Sequence, residues 1–498
     1  MQYIIGVDIG TSSTKAVAFD LNGVSIAEHS ISYPILTPAP THYEQDPEQL
    51  YQAVLSTLAE VAGTINQLEG AAIAGVAFSS AMHGLIALDE AGLPLTNCIV
   101  WTDTRSESFA ATLKGIPLGK DIYRKTGTPI HPMSPLCKLG WMREHMIPVF
   151  SAAHKFVGIK EYVLYRLFSK YVIDLSVASA TGLLDIYAQQ WYAPALELAG
   201  IKPEQLSELV QATYMLKGLA SEVAKRLQIP ADTPFVVGGS DGCLANLGVQ
   251  AIKPGIAAVT IGTSGAIRVV TEMALSDPKE RLFSYILTPE HYVIGGAVNN
   301  GGVIRSWFRQ NFLLPEAELA DGSHAYDRLD MEAASAEAGS DGLVFLPYLT
   351  GERAPHWNAH AKGVYFGIQL HHTRAHFARA MMEGVLFGIY GVGKALEEIT
   401  GPIVKINASG GFAKSAFWLQ MLADVFNKQV VVKESVESSA LGAAIIGMHA
   451  LGLIDDLILP EGFVPSSETY VPNIEKHEQY VKNYAVFERI YDKLKEEF

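Results

Sequence analysis

The sequence predicts an α/β protein made of two copies of one unit, with a ligand cleft between the copies. Three observations carry this reading. The chain has 498 residues, too many for one core and enough for two domains of similar size. The stretch "VDIGTSSTKAV" at residues 7–17 returns as "VTIGTSGAIRV" at 259–269, a shift of 259 − 7 = 252 residues that keeps the Val, Ile, Gly, Thr, Ser and final Val. The order of short apolar runs and helical segments before residue 250 also recurs after residue 255.

Taken in order, "QYIIGVDIG", "TKAVAFD" and "GVSIAEHSI" read as strands of hairpins, the last two joined by a turn at Asn22-Gly23. A helix follows Asp46-Pro47, with Asp as N-cap and Pro at the first helical position. The runs "AIAGVAFSS", "GLIALD" and "NCIVW" each end in a polar loop, residues 104–230 read as mostly helical, and "PFVVGG" is a strand that leads into a helix at Asp241. After residue 255 come strands "IAAVTIG", "AIRVV" and "HYVIGGAV", a helix from about 302, strand "GLVFLPYL" and a long helix over about 373–398. Strand "VKINASGG", a helix from 415, strand "QVVV" and an apolar helix over 440–452 complete the order. No low-complexity linker separates the halves, so the expected boundary falls in the turn around 245–255, giving domains 1–250 and 251–498.

Composition narrows the class. Hydrophobic content of 49% with 18% charged residues is that of an ordinary soluble globular protein. The three cysteines, Cys98, Cys137 and Cys243, are scattered and form no C-x-x-C pair. That argues against a disulfide framework or a thiolate zinc site and for a reducing, cytoplasmic compartment. The beginning "MQYIIGVDIG" has no basic segment ahead of an apolar one, so it does not read as a signal peptide. The most apolar run, "SSALGAAIIGMHALGLIDDLIL", is broken by Gly, His and two Asp, short of the roughly 20 apolar residues of a membrane span. A net charge of −15 disfavours nucleic acid and anionic membrane as partners. An anionic ligand must then be held by local donors.

The repeated turns supply such donors. In "DIGTSST", Gly10 permits a tight turn while Thr11, Ser12 and Ser13 present hydroxyl and backbone N–H groups that can cradle phosphate oxygens. "TIGTSGA" offers Gly262 and Thr263 in the same way from the second copy. The one telling mismatch is Asp8 against Thr260. A carboxylate beside a polyphosphate repels it unless it holds Mg²⁺, which takes one or two carboxylates and keeps several waters. Asp8 is therefore the metal candidate, and one such residue suffices. Two further Gly-rich turns, "NASGGFAKS" and "GGAVNNGGVIRSW", precede helices whose first N–H groups would face a ligand. They suit a nucleotide held by the second half.

With these motifs in place the chain strongly resembles the FGGY family of carbohydrate kinases, over essentially its whole length. The stretch "MSPLCKLGWMREH" at 133–145 has the family's Lys and Trp spacing, and "GVYFGIQLHHTRAHFARAMME" at 363–383 fits the second family pattern through Glu383. The resemblance implies two duplicated ribonuclease H-like domains, as in actin, Hsp70 and sugar kinases, and ATP-dependent phosphorylation of a small polyol-like substrate with Mg²⁺. Within the family, "FSSAMHGLIALDE", "TGTPIHPMSPL", "FVGIKEYVLYRLF", "VNNGGVIRSWFR" and "YLTGERAPHWN" look most like members acting on gluconate, with those acting on D-xylulose next. Relatives are often homodimers. An actin- or Hsp70-like ATPase and a silent sugar sensor are the other classes weighed. The two long patterns argue against the ATPase, and Asp8, Asp241 and both turns argue against the sensor.

The family's roles carry over position by position. The metal-directed aspartate falls on Asp8, and phosphate contacts on Thr11, Ser12, Ser13, Gly262 and Thr263. Lys15 stands where glycerol kinases have an arginine. Nucleotide contacts fall on Gly302, Gly410, Gly411 and Ser415, the last an asparagine in glycerol kinases. Substrate contacts fall on Met82, His83 and Asp241, and Met133 replaces the tyrosine with which glycerol kinases bind their substrate. Asp241 can cap its helix and also serve as base, because a loose phosphoryl-transfer transition state asks mainly for positioning and charge stabilisation. "WTDTR" supplies Asp103 and Arg105. A sugar acid's carboxylate suits a guanidinium fork, so Arg105 is a candidate for it, with Lys160 and His131 as rivals.

Overall fold

The computed structural model describes residues 1–312, 325–433, 437–460, 463–464 and 466–498. The chain forms two compact units, each assembled from separated stretches of sequence. The first takes Met1–Ile252, Thr271–Val293 and Glu437–Val464, and the second takes Lys253–Val270, Ile294–Val436 and Pro465–Phe498.

In the first unit the spatial order of strands is Met215–Leu216, Phe235–Ser240, Ala72–Ser80, Gln2–Ile9, Ser13–Asp20 and Ser25–Ser32. The last three form the expected antiparallel meander, whereas Gln2–Ile9, Ala72–Ser80 and Phe235–Ser240 run parallel. Ile4, Ile5, Val7 and Ile9 are fully buried, as a strand covered on both faces requires. One face (Ile5, Val7, Ile9) belongs to the same apolar core as Leu50, Val54 and Leu58 of the helix Pro47–Asn66. That helix starts as the sequence predicts, with Asp46 accepting from the Glu48 N–H at 2.9 Å and Pro47 in the first turn. The other face meets the apolar helix Ser438–Ala450, where a Cβ on Gly6 would lie 2.1 Å from the Ala440 carbonyl oxygen.

Residues 104–230 differ from the expected mostly helical insertion. Helices such as Pro117–Thr126, Pro135–His145 and Ile159–Phe168 alternate with small ladders, among them Ile86–Leu88 with Lys155–Val157 and Val172–Asp174 with Glu208–Val210. Strands of two or three residues are too short for alternation to show in a sequence. The segment has its own core around Ile122, Tyr123, Leu136, Leu139 and Phe156. A strand not anticipated, Phe283–Thr288, is tied to it: Tyr123 Oη donates to the Leu282 carbonyl at 2.7 Å, and the Ile286 N–H donates to Ser179 Oγ at 2.9 Å.

The second unit repeats the strand succession. His291–Val298, Gly265–Thr271, Ile256–Ile261, Lys405–Ser409, Gln429–Lys433 and Ser466–Tyr470 follow one another in space. Ile256–Ile261 again pairs antiparallel with the next strand and parallel with a later one, Lys405–Ser409. The helices Gly302–Phe312, Arg374–Thr400 and Ala416–Phe426 stand where the sequence places them. The helix Ile474–Leu494 was not anticipated; its Tyr484 and Phe487 pack on Phe387 of the long helix.

Candidate functional site

The first repeated turn sits between the paired residues Ile9 and Thr14, and the second between Ile261 and Gly265. The turns therefore span residues 10–13 and 262–264, so the second is one residue tighter. Their likeness reaches beyond the hairpin. Asp8 lies opposite Ser79 on the parallel neighbour and accepts from its Oγ at 2.6 Å. Thr260 lies opposite Ser409 and meets its Oγ at 3.1 Å. The first turn is held from three sides. Tyr33 Oη donates to the Gly10 carbonyl at 2.6 Å, Gln45 Nε2 to the Thr11 carbonyl at 2.6 Å, and Trp101 Nε1 to Thr11 Oγ1 at 2.8 Å. Because Trp101 donates to Thr11 Oγ1, the hydroxyl proton of Thr11 can be given to a ligand. Ser12 is exposed and Ser13 half-buried. Lys15 is ion-paired with Glu437 at 2.5 Å.

Asp8 is pushed up to about 7, first by burial and next by the negative charge of Asp241, against the Ser79 hydrogen bond, which lowers it. Among the described residues no group of three or more His, Cys, Asp or Glu is placed to hold a metal ion. Asp8 is a carboxylate crowded by the negative charges of Asp241 and Glu437, and it gains from a nearby cation. A Mg²⁺ that keeps its waters and takes one or two carboxylates fits it.

Asp241 is the first residue of the helix Asp241–Gly248, with Ser240 before it, and its Oδ1 accepts from the Gly242 N–H at 2.6 Å. The residue stays partly exposed at the start of its helix. His83 follows the strand Ala72–Ser80 in a left-handed backbone conformation (φ 67°), and its Nδ1 lies 2.8 Å from the Ala180 carbonyl. Met82 beside it is half-buried.

The three candidates for a substrate carboxylate separate sharply. Arg105 is enclosed, bonded to Asp103 at 2.8 Å and Glu44 at 2.7 Å, while Asp103 also accepts from the Tyr43 N–H. Lys160 is buried against Asp174 at 2.6 Å and donates to the Gly239 carbonyl at 3.0 Å, two residues before Asp241. His131 is half-buried, its Nδ1 accepting from the Met133 N–H at 3.2 Å, whereas the side chains of Arg105 and Lys160 are 4% and 2% exposed.

In the second unit a cavity of 640 Å³ is lined by Gly262, Thr263, Gly302, Arg305, Gly411 and Ser415, among others. It collects five of the six nucleotide positions expected after residue 250, all but Gly410. The Gly302 N–H donates to the Gly262 carbonyl at 2.7 Å, tying the helix start to the second turn. Gly410 has φ 97°, a conformation that disfavours any side chain. Ser415 is the N-cap of its helix, accepting from the Trp418 N–H at 3.1 Å and donating to Asp330 at 2.6 Å. Asp330 also pairs with Arg305, whose guanidinium lies 4.6 Å over the Tyr326 ring. Asp330 and Arg305 were not singled out from the sequence; "GGVIRSW" contains the arginine, but its carboxylate partner is 25 residues away.

Comparison with known proteins bears on the fold and the family. Residues 3–248 match the N-terminal domain of the FGGY family of carbohydrate kinases, and residues 257–451 match its C-terminal domain. A gluconokinase of Bacillus subtilis (strain 168) is 46% identical over 481 residues, 96% of this chain and 93% of that protein. Crystal structures of a gluconate kinase and of a ligand-bound xylulose kinase, both from Lactobacillus acidophilus, each match with TM-score 0.93 and 38% identity, covering 99% of this chain and 98% of theirs. The ribonuclease H-like fold expected from the sequence is the fold of these kinases. The duplicated sheets, the paired turns and both domain matches make this chain a member of the FGGY family of carbohydrate kinases.

Proposed function

We propose that this kinase transfers the γ-phosphoryl group of ATP to D-gluconate, giving 6-phospho-D-gluconate and ADP. The observation that carries the choice of acceptor is the 46% identity to a gluconokinase along nearly the full chain. Asp241 is the general base. Its ionised carboxylate accepts the proton of the acceptor's primary hydroxyl as that oxygen bonds to phosphorus and the bond from phosphorus to the ADP oxygen breaks. Thr11, Ser12, Ser13 and Lys15 hold phosphate oxygens from the first turn, and Gly262 and Thr263 from the second. Gly302, Gly410, Gly411 and Ser415 form the nucleoside side. Residues 1–250 thus carry the acceptor and 251–498 the nucleoside.

Mg²⁺, held by Asp8, would neutralise charge on the phosphates. Met82, His83 and Asp103 with its loop shape the acceptor side. His131 meets the acceptor carboxylate, while Arg105 and Lys160, both already paired with buried carboxylates, support the loops around it. The protein acts in the cytoplasm, consistent with three free, buried cysteines and with the absence, among the described residues, of a helix long and apolar enough to cross a membrane.

A panel of gluconate, xylulose, ribulose, fuculose and glycerol with Mg-ATP, followed by ADP release, tests the reading. Gluconate is expected to give the highest kcat/KM. Inert gluconate with rapid turnover of xylulose would replace it by the second reading, xylulose phosphorylation, which the Met82-His83 pair also suits.

A further inference from the structure

Lys138 lies in the helix Pro135–His145 and is completely buried. Its ammonium has three protons to give, and three backbone carbonyls take them: His83 at 2.6 Å, Val100 at 2.9 Å and Ile99 at 3.0 Å. These oxygens belong to two segments that part company at this point. Leu85 and Ile99 face each other in an antiparallel bridge, with hydrogen bonds in both directions. Beyond the bridge one segment turns to Met82-His83 and the other to Trp101, Asp103 and Arg105. Lys138 occupies the fork.

We propose that Lys138 is the positioning residue of the acceptor site: by joining the carbonyls of His83, Ile99 and Val100, it fixes the two acceptor loops relative to each other. The proposal rests on the reading that these loops carry the acceptor. His83 is held from opposite ends, by its ring against the Ala180 carbonyl and by its own carbonyl against Lys138. That double hold accounts for a non-glycine residue staying in the left-handed region, which needs support from its surroundings. The second loop continues into Trp101, whose indole N–H meets Thr11 of the phosphate turn at 2.8 Å. One ammonium therefore sets the two acceptor loops relative to each other. Burial lowers the Lys138 ammonium to about 7.

The test uses the full-length Lys138→Met, Lys138→Gln and Lys138→Arg variants. Hydrogen exchange in peptides covering 81–86 and 98–104 should rise in Lys138→Met, less so in Lys138→Gln, with peptides of the second unit unchanged. The KM for gluconate should rise at least tenfold in Lys138→Met while the KM for ATP stays within about twofold, with partial recovery in Lys138→Arg. Wild-type exchange in both peptides, or equal rises in the two KM values, would overturn the proposal. So would failure of both the Met and Gln variants to fold, which would confine Lys138 to building the core. Raised exchange in both loops of the variants, alongside a wild-type enzyme that does not turn over gluconate, would uphold the clamp and discard the proposed acceptor instead.

Discussion

Asp8 and Asp241 press on each other electrostatically, and the pair divides the labour the proposed reaction needs. Asp8 has the Ser79 hydroxyl beside it and a pKa raised to about 7, so it responds strongly to a cation. Asp241 remains partly exposed at a helix start. Asp241→Asn keeps the shape and removes the proposed base, so kcat should fall by about 10² to 10⁴ with an unchanged circular dichroism spectrum; a near-normal kcat would remove Asp241 from that role. Asp8 stood out in the sequence by its mismatch with Thr260 in the repeated stretch, and Asp241 because it follows a short apolar strand and opens a helix. Arg105 and Lys160 were legible only as cations. What decides their role is the carboxylates facing them: Asp103 lies two residues from Arg105 in the chain, but Glu44 is 61 residues away. Pairings across such distances leave no local pattern to read.

Among the elements, the contact between the helices Asp241–Gly248 and Ser438–Ala450 is made through backbone. A Cβ on Gly442 would stand 2.0 Å from the Leu244 carbonyl oxygen, closer than any side chain can be accommodated without moving a helix. Gly442→Ala is therefore expected to destabilise the protein by about 2 kcal/mol or more, read as a lower urea midpoint; an unchanged midpoint would contradict the packing. The apolar run "ALGAAIIG" identified the second helix as buried, but its glycines named no partner, since small residues suit any close approach. Ser415 shows the same limit. The sequence marked it as a nucleotide contact where a helix starts, and neither its cap nor its bond to Asp330 was legible. Ser415→Ala should cost about 1 kcal/mol as a lost cap and raise the KM for ATP more than that for the acceptor, because Asp330 and Ser415 both line the cavity. Equal KM changes would leave Ser415 only the cap. The strand Phe283–Thr288 and the ladders within 104–230 were missed because their partners, not their own alternation, make them strands.

At the scale of the whole molecule, buried carboxyls give stability a definite pH dependence. Burial raises Glu161 and Glu352 from 4.5 to about 7, so each binds its proton more tightly folded than unfolded. Their contribution is complete below 4.5 and is lost as pH rises through 7. The Tm advantage of the ligand-free wild type over a Glu161→Gln, Glu352→Gln double variant should therefore shrink between pH 4.5 and 7.5; parallel curves would refute the assignment. The duplication itself was plain in the sequence, since six shared positions at a constant shift mark it. The interleaving was not, because a chain's return to an earlier unit is written in contacts. Thr271–Val293 and Glu437–Val464 both join the first unit, and the latter supplies the helix that lies against Gly6 of its first strand. That return has a consequence during synthesis. The ribosome finishes Ile252 long before it reaches Val464, and the interval is 464 − 252 = 212 residues. At about 5–20 residues per second, the nascent first unit waits roughly 10 to 40 s with one face of its sheet uncovered. Over that window it is an expected client for chaperones that bind apolar sheet faces, and a truncation near residue 250 would make the wait permanent.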